Sequence, residues 1–222
     1  EILENGEYID NLNGDIEFHN VTMRYDKEVI LKNLSFIIKK GTKVTIAGRT
    51  GVGKTTLTNV LMKLYDIEDG RILIGNNDIS KISTKCLRDN ISYISQTPYI
   101  FADTVRNNIT LGNKEIIDKQ IENLIHEMGV KNLFNKLSDG LDTKIKLTKL
   151  SYGELQIIAF IRAILHKANI YIFDEPTSNI DLKTEDRIQK LIDKITKEST
   201  VIIIAHRKST IENSDKIIYL KD

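Results

Sequence analysis

The 222-residue sequence is poor in most features that mark a chain for one environment or one partner. It has a single cysteine, Cys86, which excludes an internal disulfide and fits a reducing compartment. A small, partly buried side chain is the ordinary role for such a residue. Neither sign of charge dominates: 32 Lys and Arg stand against 31 Asp and Glu, a net charge of +1. That balance provides no electrostatic footprint for nucleic acid. No apolar run reaches the roughly 18 residues of a membrane-crossing helix, and no secretion signal is visible. Internal repeats and low-complexity tracts are also lacking. The hydrophobic content of 41% and charged content of 28% are ordinary for a globular protein, and the length suffices for one large domain or two smaller lobes.

The richest stretch is Gly48 to Thr55, GRTGVGKT, which matches G-x-x-x-x-G-K-[ST]. Lys43–Ala47 (KVTIA) before it reads as a short buried strand. Lys54–Leu64 after it reads as a helix with an apolar stripe. Strand, glycine loop and helix together aim backbone N–H groups and a helix N-terminus at phosphate oxygens. Gly48, Gly51 and Gly53 let the loop wrap closely, because a Cβ would intrude or forbid the dihedrals. Lys54 is expected to reach the β- and γ-phosphates, and Thr55 to place its hydroxyl on Mg²⁺. A glycine turn with a lone surface lysine is the competing reading.

A phosphate loop needs an acidic partner for the metal. Asn169–Glu175 (NIYIFDE) supplies four apolar residues and then two carboxylates, at the strand end where ligands of α/β sheets bind. Asp174 is expected to hold Mg²⁺, and Glu175 to polarise the attacking water. An ordinary helix N-cap is the plain alternative for such a pair. His206, after the strand Thr200–Ile204, could donate to a γ-phosphate oxygen. Its position alone favours a capping or core histidine.

Along the rest of the chain, Glu1–Asn13 is polar and without period, and reads as a linker. With no starting Met and an abrupt stop at Lys221-Asp222, the chain reads as a fragment of a longer protein. Strands are expected at Asp15–Thr22, with Ile16, Phe18 and Val21 inward, and at Leu34–Ile38, Arg71–Ile74, Ile91–Ser95 and Lys216–Leu220. Helical periodicity marks Lys114–Glu127, Val130–Lys136, Gly153–His166 and Thr184–Lys197. The expected fold is α/β: a core with a mainly parallel sheet around the phosphate loop, an antiparallel β subdomain, and an inserted α-helical subdomain.

At this point the residues resemble the nucleotide-binding domain of an ABC transporter, over about Asp15–Asp222. The deciding feature is Leu150–Glu154, LSYGE, which is similar to the family signature LSGGQ and lies ahead of the Asp-Glu strand. The resemblance implies a P-loop NTPase core at 15–95 and 168–222, a helical subdomain carrying the signature at 96–167, and a linker at 1–14 from a missing transmembrane domain. It implies ATP and Mg²⁺ as cofactors. Gly48, Arg49, Thr50, Gly51, Val52, Gly53, Lys54, Thr55 and Thr56 would cradle the phosphates. Tyr25 resembles the aromatic that stacks on adenine, with a core tyrosine as the other reading. Gln96 resembles the glutamine that contacts Mg²⁺ and the water, so that Thr55, Gln96 and Asp174 form the metal set. Glu175, His206, Lys54 and Gln96 form the catalytic set. Ser151 and Gly153 would touch the γ-phosphate of ATP held by a partner's loop. Asp181 resembles the aspartate that communicates between the two sites.

The resemblance further implies head-to-tail closure of two such domains over two ATP molecules, with hydrolysis reopening them. The stretches Ser95–Gly112 and Gly140–Thr143 resemble the exporter type, whose domain is fused behind a transmembrane domain of the same polypeptide. That places it on the cytoplasmic face of the membrane, with a second nucleotide-binding domain and no nucleic acid as partners. The sequence departs from the family pattern at Tyr152, where a Gly is usual, at Glu154, where a Gln is usual, and at Lys146, near an expected Glu. Leu155 and Ile157 replace basic residues, although Arg162 remains. A heterodimer with one good and one weak site explains these departures, and a homodimer with a tolerant signature explains them equally well. An importer ATPase, a non-transport ABC protein and a regulatory nucleotide-binding module are the rival functions.

Overall fold

A computed structural model describes residues 6–145, 150–177, 180–205, 211 and 213–221. The chain divides into two compact units. The first holds residues up to Ser92, Ala168–Asp174 and Thr196–Asp222; the second holds Tyr93–Lys167 and Glu175–Ile195. The sequence reading put 168–222 wholly in the core, whereas 175–195 groups with the helical residues.

In the first unit, β3 (Lys43–Ala47), β7 (Ile170–Asp174) and β8 (Thr200–Ile204) are buried at every position. Near-continuous apolar strands of this kind belong in a sheet covered on both faces. With β6 (Ile91–Ile94) and β9 (Lys216–Tyr219) they form a five-stranded sheet, ordered β6-β7-β8-β3-β9. The β7–β8, β8–β3 and β3–β9 pairs are parallel. Between β3 and β6 the chain forms α1 (Lys54–Leu61), which buries Leu57, Val60 and Leu61.

A second, antiparallel sheet has the order β2-β1-β4-β5, from β1 (Ile16–Tyr25), β2 (Glu28–Ile38), β4 (Asp69–Ile74) and β5 (Asn77–Asp78). The inward set expected on β1 is buried: Ile16, Phe18 and Val21. Phe18 to Val21 spans three positions, so strict alternation would put them on opposite faces. A register irregularity between Phe18 and Val21 restores the inward face. Residues 6–14, expected as linker, lie on this unit. The Glu7 amide donates to the Lys81 carbonyl, Tyr8 donates to Asp89, and Leu12 is fully buried.

The helix α2 (Thr84–Asn90) was not anticipated from periodicity. Its start carries a readable signal, because the Ser83 hydroxyl accepts from the Cys86 amide as an N-cap.

The second unit contains α3 (Val105–Thr110), α4 (Asp118–Met128), α5 (Lys131–Asn135), α6 (Tyr152–Leu165) and α7 (Leu182–Thr196). Helix α4 starts four residues later than its periodicity suggests. The Asn113 side chain accepts from the Glu115 amide and holds residues 113–116 in a turn. Helix α7 starts two residues earlier, because Asp181 accepts from the Thr184 amide and caps it. Arg162 on α6 donates to the carbonyls of Asn108 at 2.6 Å and Tyr99 at 2.9 Å. These bonds fasten the segment after β6 to α6.

Candidate functional site

The loop after β3 is built around Lys54. Its side chain is 7% exposed, and its ammonium donates to the carbonyls of Gly48 at 2.9 Å and Arg49 at 2.7 Å. The loop therefore encloses a positive charge, with Val52 turned back onto the Arg49 carbonyl. Helix α1 begins directly at Lys54. Its N-cap, Gly53, is left-handed at φ 96°, offers no side-chain cap, and is followed by no acidic residue in the first turn. The helix start thus carries no side-chain cap and no acidic group against its positive dipole end, which suits an anion. Helix α6 is the contrast, with its start satisfied by a capping box from its own sequence.

Beside the loop, the Thr55 hydroxyl donates to the Asp174 carboxylate at 3.1 Å. Asp174 is buried at the C-terminal end of β7. A buried carboxylate is costly unless cationic or hydrogen-bonding groups surround it. A hydroxyl and a carboxylate together are an all-oxygen donor pair of the kind a hard cation takes while keeping several waters. No group of three or more His, Cys, Asp or Glu suited to a metal exists among the described residues. The pair therefore fits Mg²⁺ completed by phosphate and water oxygens, and does not fit an all-protein cage.

Tyr25 lies at the end of β1, 36% exposed, with its ring 5.0 Å from that of Tyr65 in an edge-to-face arrangement at 84°. Its ring is partly exposed at the end of the strand, and Tyr65 was not anticipated as its neighbour.

In the second unit, the Gln96 side-chain amide donates to Glu175 at 2.9 Å. Glu175 has φ 50°, a left-handed conformation uncommon outside glycine, and it precedes Pro176, where extended backbone is the norm. Such conformations cost roughly 1–3 kcal/mol and cluster at functional sites. Ser151 caps α6: its hydroxyl accepts from the Glu154 amide at 3.3 Å, while the Glu154 carboxylate accepts from the Ser151 amide at 2.8 Å. Glu154 is thus directed at the helix start, with Lys136 at 3.7 Å. Gly153 lies in the first turn of α6. Asp181 caps α7, and hydrogen bonds from Thr184 hold its carboxyl below the usual carboxylate range. His206 and Lys146 lie outside the described residues.

The expected site residues therefore fall into two groups. Tyr25, the loop 48–56 and Asp174 belong to the first unit; Gln96, Ser151, Gly153, Glu175 and Asp181 belong to the second. The division falls between Asp174, the last residue of β7, and Glu175, which follows it.

A family model described as "ABC transporter" matches residues 31–178, two thirds of the chain and both sequence motifs. The chain belongs to the ABC transporter family. Its relatives place it as the ATP-binding domain of the family's exporter type. It is 38% identical over 219 residues to the ATP-dependent lipid A-core flippase of Salmonella typhimurium, covering 96% of this chain and 38% of that protein. It is 37% identical over 210 residues to a probable multidrug resistance ABC transporter ATP-binding/permease protein of Bacillus subtilis, covering 93% of this chain and 31% of that protein. A solved structure of a bacterial Atm1-family ABC exporter with ATP bound superposes with a TM-score of 0.91 at 32% identity, covering 99% of this chain and 39% of that one. This ABC domain thus spans about a third of the length of the curated relatives it matches. No helix among the described residues is long and apolar enough to cross a membrane.

Proposed function

We propose that this ABC domain binds and hydrolyses ATP with Mg²⁺, and that it powers export by closing head-to-tail on a second nucleotide-binding domain. The observation that carries the reading is the Thr55–Asp174 hydrogen bond beside a loop that encloses the Lys54 ammonium. The amides of residues 48–56 bind the phosphates, and Lys54 exchanges its two loop carbonyls for phosphate oxygens. Thr55 and Asp174 hold Mg²⁺, with Gln96 as the further contact that the resemblance assigns. When bound there, Mg²⁺ would supply charge neutralisation for phosphoryl transfer. Glu175 orients and polarises the attacking water, and His206 donates to the γ-phosphate. Tyr25 stacks on the adenine, and Ser151 and Gly153 meet the γ-phosphate held by the partner domain.

The full protein is an exporter with a transmembrane domain on the same polypeptide, joined through residues 1–14, and this domain lies on the cytoplasmic face. A lipid or drug cargo is the class that the relatives' names suggest. The Glu154 carboxylate on the Ser151 amide favours an asymmetric pairing as a second reading, because one of the signature's own donors is already engaged.

The test is light scattering of Glu175→Gln with ATP and Mg²⁺, against the same sample without nucleotide. Conversion from monomer to dimer on adding ATP is the expected result. A variant that binds ATP but stays monomeric overturns homodimeric closure in favour of a different partner subunit. Failure to bind ATP overturns the phosphate site itself.

A further inference from the structure

Tyr152 stands at the first position of α6, and its hydroxyl donates to the backbone carbonyl of Gln96. Gln96 in turn donates its side-chain amide to Glu175 at 2.9 Å. A carboxylate can only accept, so this bond turns the Nε2 end of the Gln96 amide toward Glu175. The anchor of this chain of contacts is firm. The start of α6 is locked by the Ser151–Glu154 capping box, and Phe160 and Ile161 on the same helix are buried. The segment after β6 is bonded to α6 twice, by Tyr152 at Gln96 and by Arg162 at Tyr99. A phenol has the length to reach a neighbouring loop and the donor to hold it. The glycine that the signature motif usually carries at this position has neither.

We propose that Tyr152 is a positioning residue for ATP turnover: its hydroxyl fixes the Gln96 backbone, and through Gln96 it orients the Glu175 carboxylate. The inference rests on the reading of Glu175 as the residue that activates water. A side chain that holds the acting groups in one geometry raises kcat and leaves ground-state nucleotide binding alone. The substitution at the signature is then a device that stiffens the site, independent of whether the partner domain is identical.

The experiment is steady-state ATP hydrolysis by the full chain with Tyr152→Phe, Gln96→Ala, the double variant and Glu175→Gln, with a thermal melt of each. Tyr152→Phe keeps the ring and loses only the donor. Its kcat is expected to fall about threefold to tenfold, the scale of one net hydrogen bond. KM for ATP is expected to stay at its wild-type value, and the melting temperature to fall by no more than about 2–6 °C, the loss of one hydrogen bond. The double variant is expected to be no slower than Gln96→Ala, because the hydroxyl acts through Gln96. Wild-type kcat in Tyr152→Phe, or losses that multiply in the double variant, would overturn the proposal. A rise in KM alone would overturn it too, placing the ring on nucleotide instead. Wild-type turnover by Glu175→Gln would instead remove the reading beneath it, whatever Tyr152→Phe does.

Discussion

Two alanine substitutions in the phosphate loop separate backbone strain from crowding. Gly51 has φ 84° and Gly53 has φ 96°, so each asks an alanine to adopt a left-handed conformation. That term alone costs about 1–2 kcal/mol. A Cβ on Gly51 would meet nothing within 4 Å. A Cβ on Gly53 would come to 3.0 Å from Ile30 Cγ2 and Leu31 Cδ2, and to 3.2 Å from the Ile30 carbonyl oxygen. The two side chains can yield, but the backbone of β2 yields much less, and overpacking of this kind adds about 1–3 kcal/mol. The Gly53 substitution is therefore expected to cost about 2–5 kcal/mol in total, against about 1–2 for Gly51. At the roughly 2–4 °C per kcal/mol of a chain this size, Gly51→Ala lowers Tm by about 2–8 °C and Gly53→Ala by about 4–20 °C.

Differential scanning calorimetry without nucleotide reads this difference. Repeating the scans with ATP at about 100 times its Kd should raise wild-type stability by about 2.7 kcal/mol, a rise that Gly53→Ala loses as the start of α1 shifts. Equal Tm values for the two variants without nucleotide would refute the crowding argument, and with it the close approach of β2 to the loop.

Glu154→Gln is expected to keep wild-type stability, since glutamine completes the same capping box, whereas Glu154→Ala should lose about 1 kcal/mol in urea unfolding. Equal losses in both would show that the charge, and not the cap, holds the start of α6. The helical unit should also be acid-sensitive. Hydrogen bonds from Arg106 hold the Asp142 carboxyl below its ordinary 3.8, and the Thr104 amide does the same for Asp103. A folded pKa below the unfolded one contributes stability that is complete above the unfolded value and is lost as pH falls through the folded one. Thermal melts between about pH 5 and pH 2 should therefore show Asp142→Asn with a shallower decline than wild type; parallel profiles would refute the assignment.

Much of the site is legible in the chain because its chemistry is local. The spacing of Gly48, Gly51, Gly53 and Lys54 sets a loop that encloses the ammonium, and the burial of β7 follows from its uninterrupted apolar run Ile170–Phe173. The β1 inward set was also readable, although the bulge that makes it work was not. Boundaries failed where a side chain competes with periodicity: Asn113 delays α4 and Asp181 advances α7. The Ser151–Glu154 capping box was not anticipated, because it depends on where the helix begins, and the start was expected at Gly153.

The sequence by itself determined the family, the α/β class and the identity of the phosphate loop, since these rest on short-range spacing and hydrophobic pattern. The family resemblance already grouped Thr55 with Asp174 and Gln96 with Glu175, but tertiary structure alone decided the contacts themselves: Thr55 on Asp174, Gln96 on Glu175, Tyr152 on the Gln96 carbonyl, and Tyr25 on Tyr65. Their partners lie 119, 79, 56 and 40 positions apart. No local propensity encodes such a meeting, because it follows from how strands order in a sheet and how helices pack.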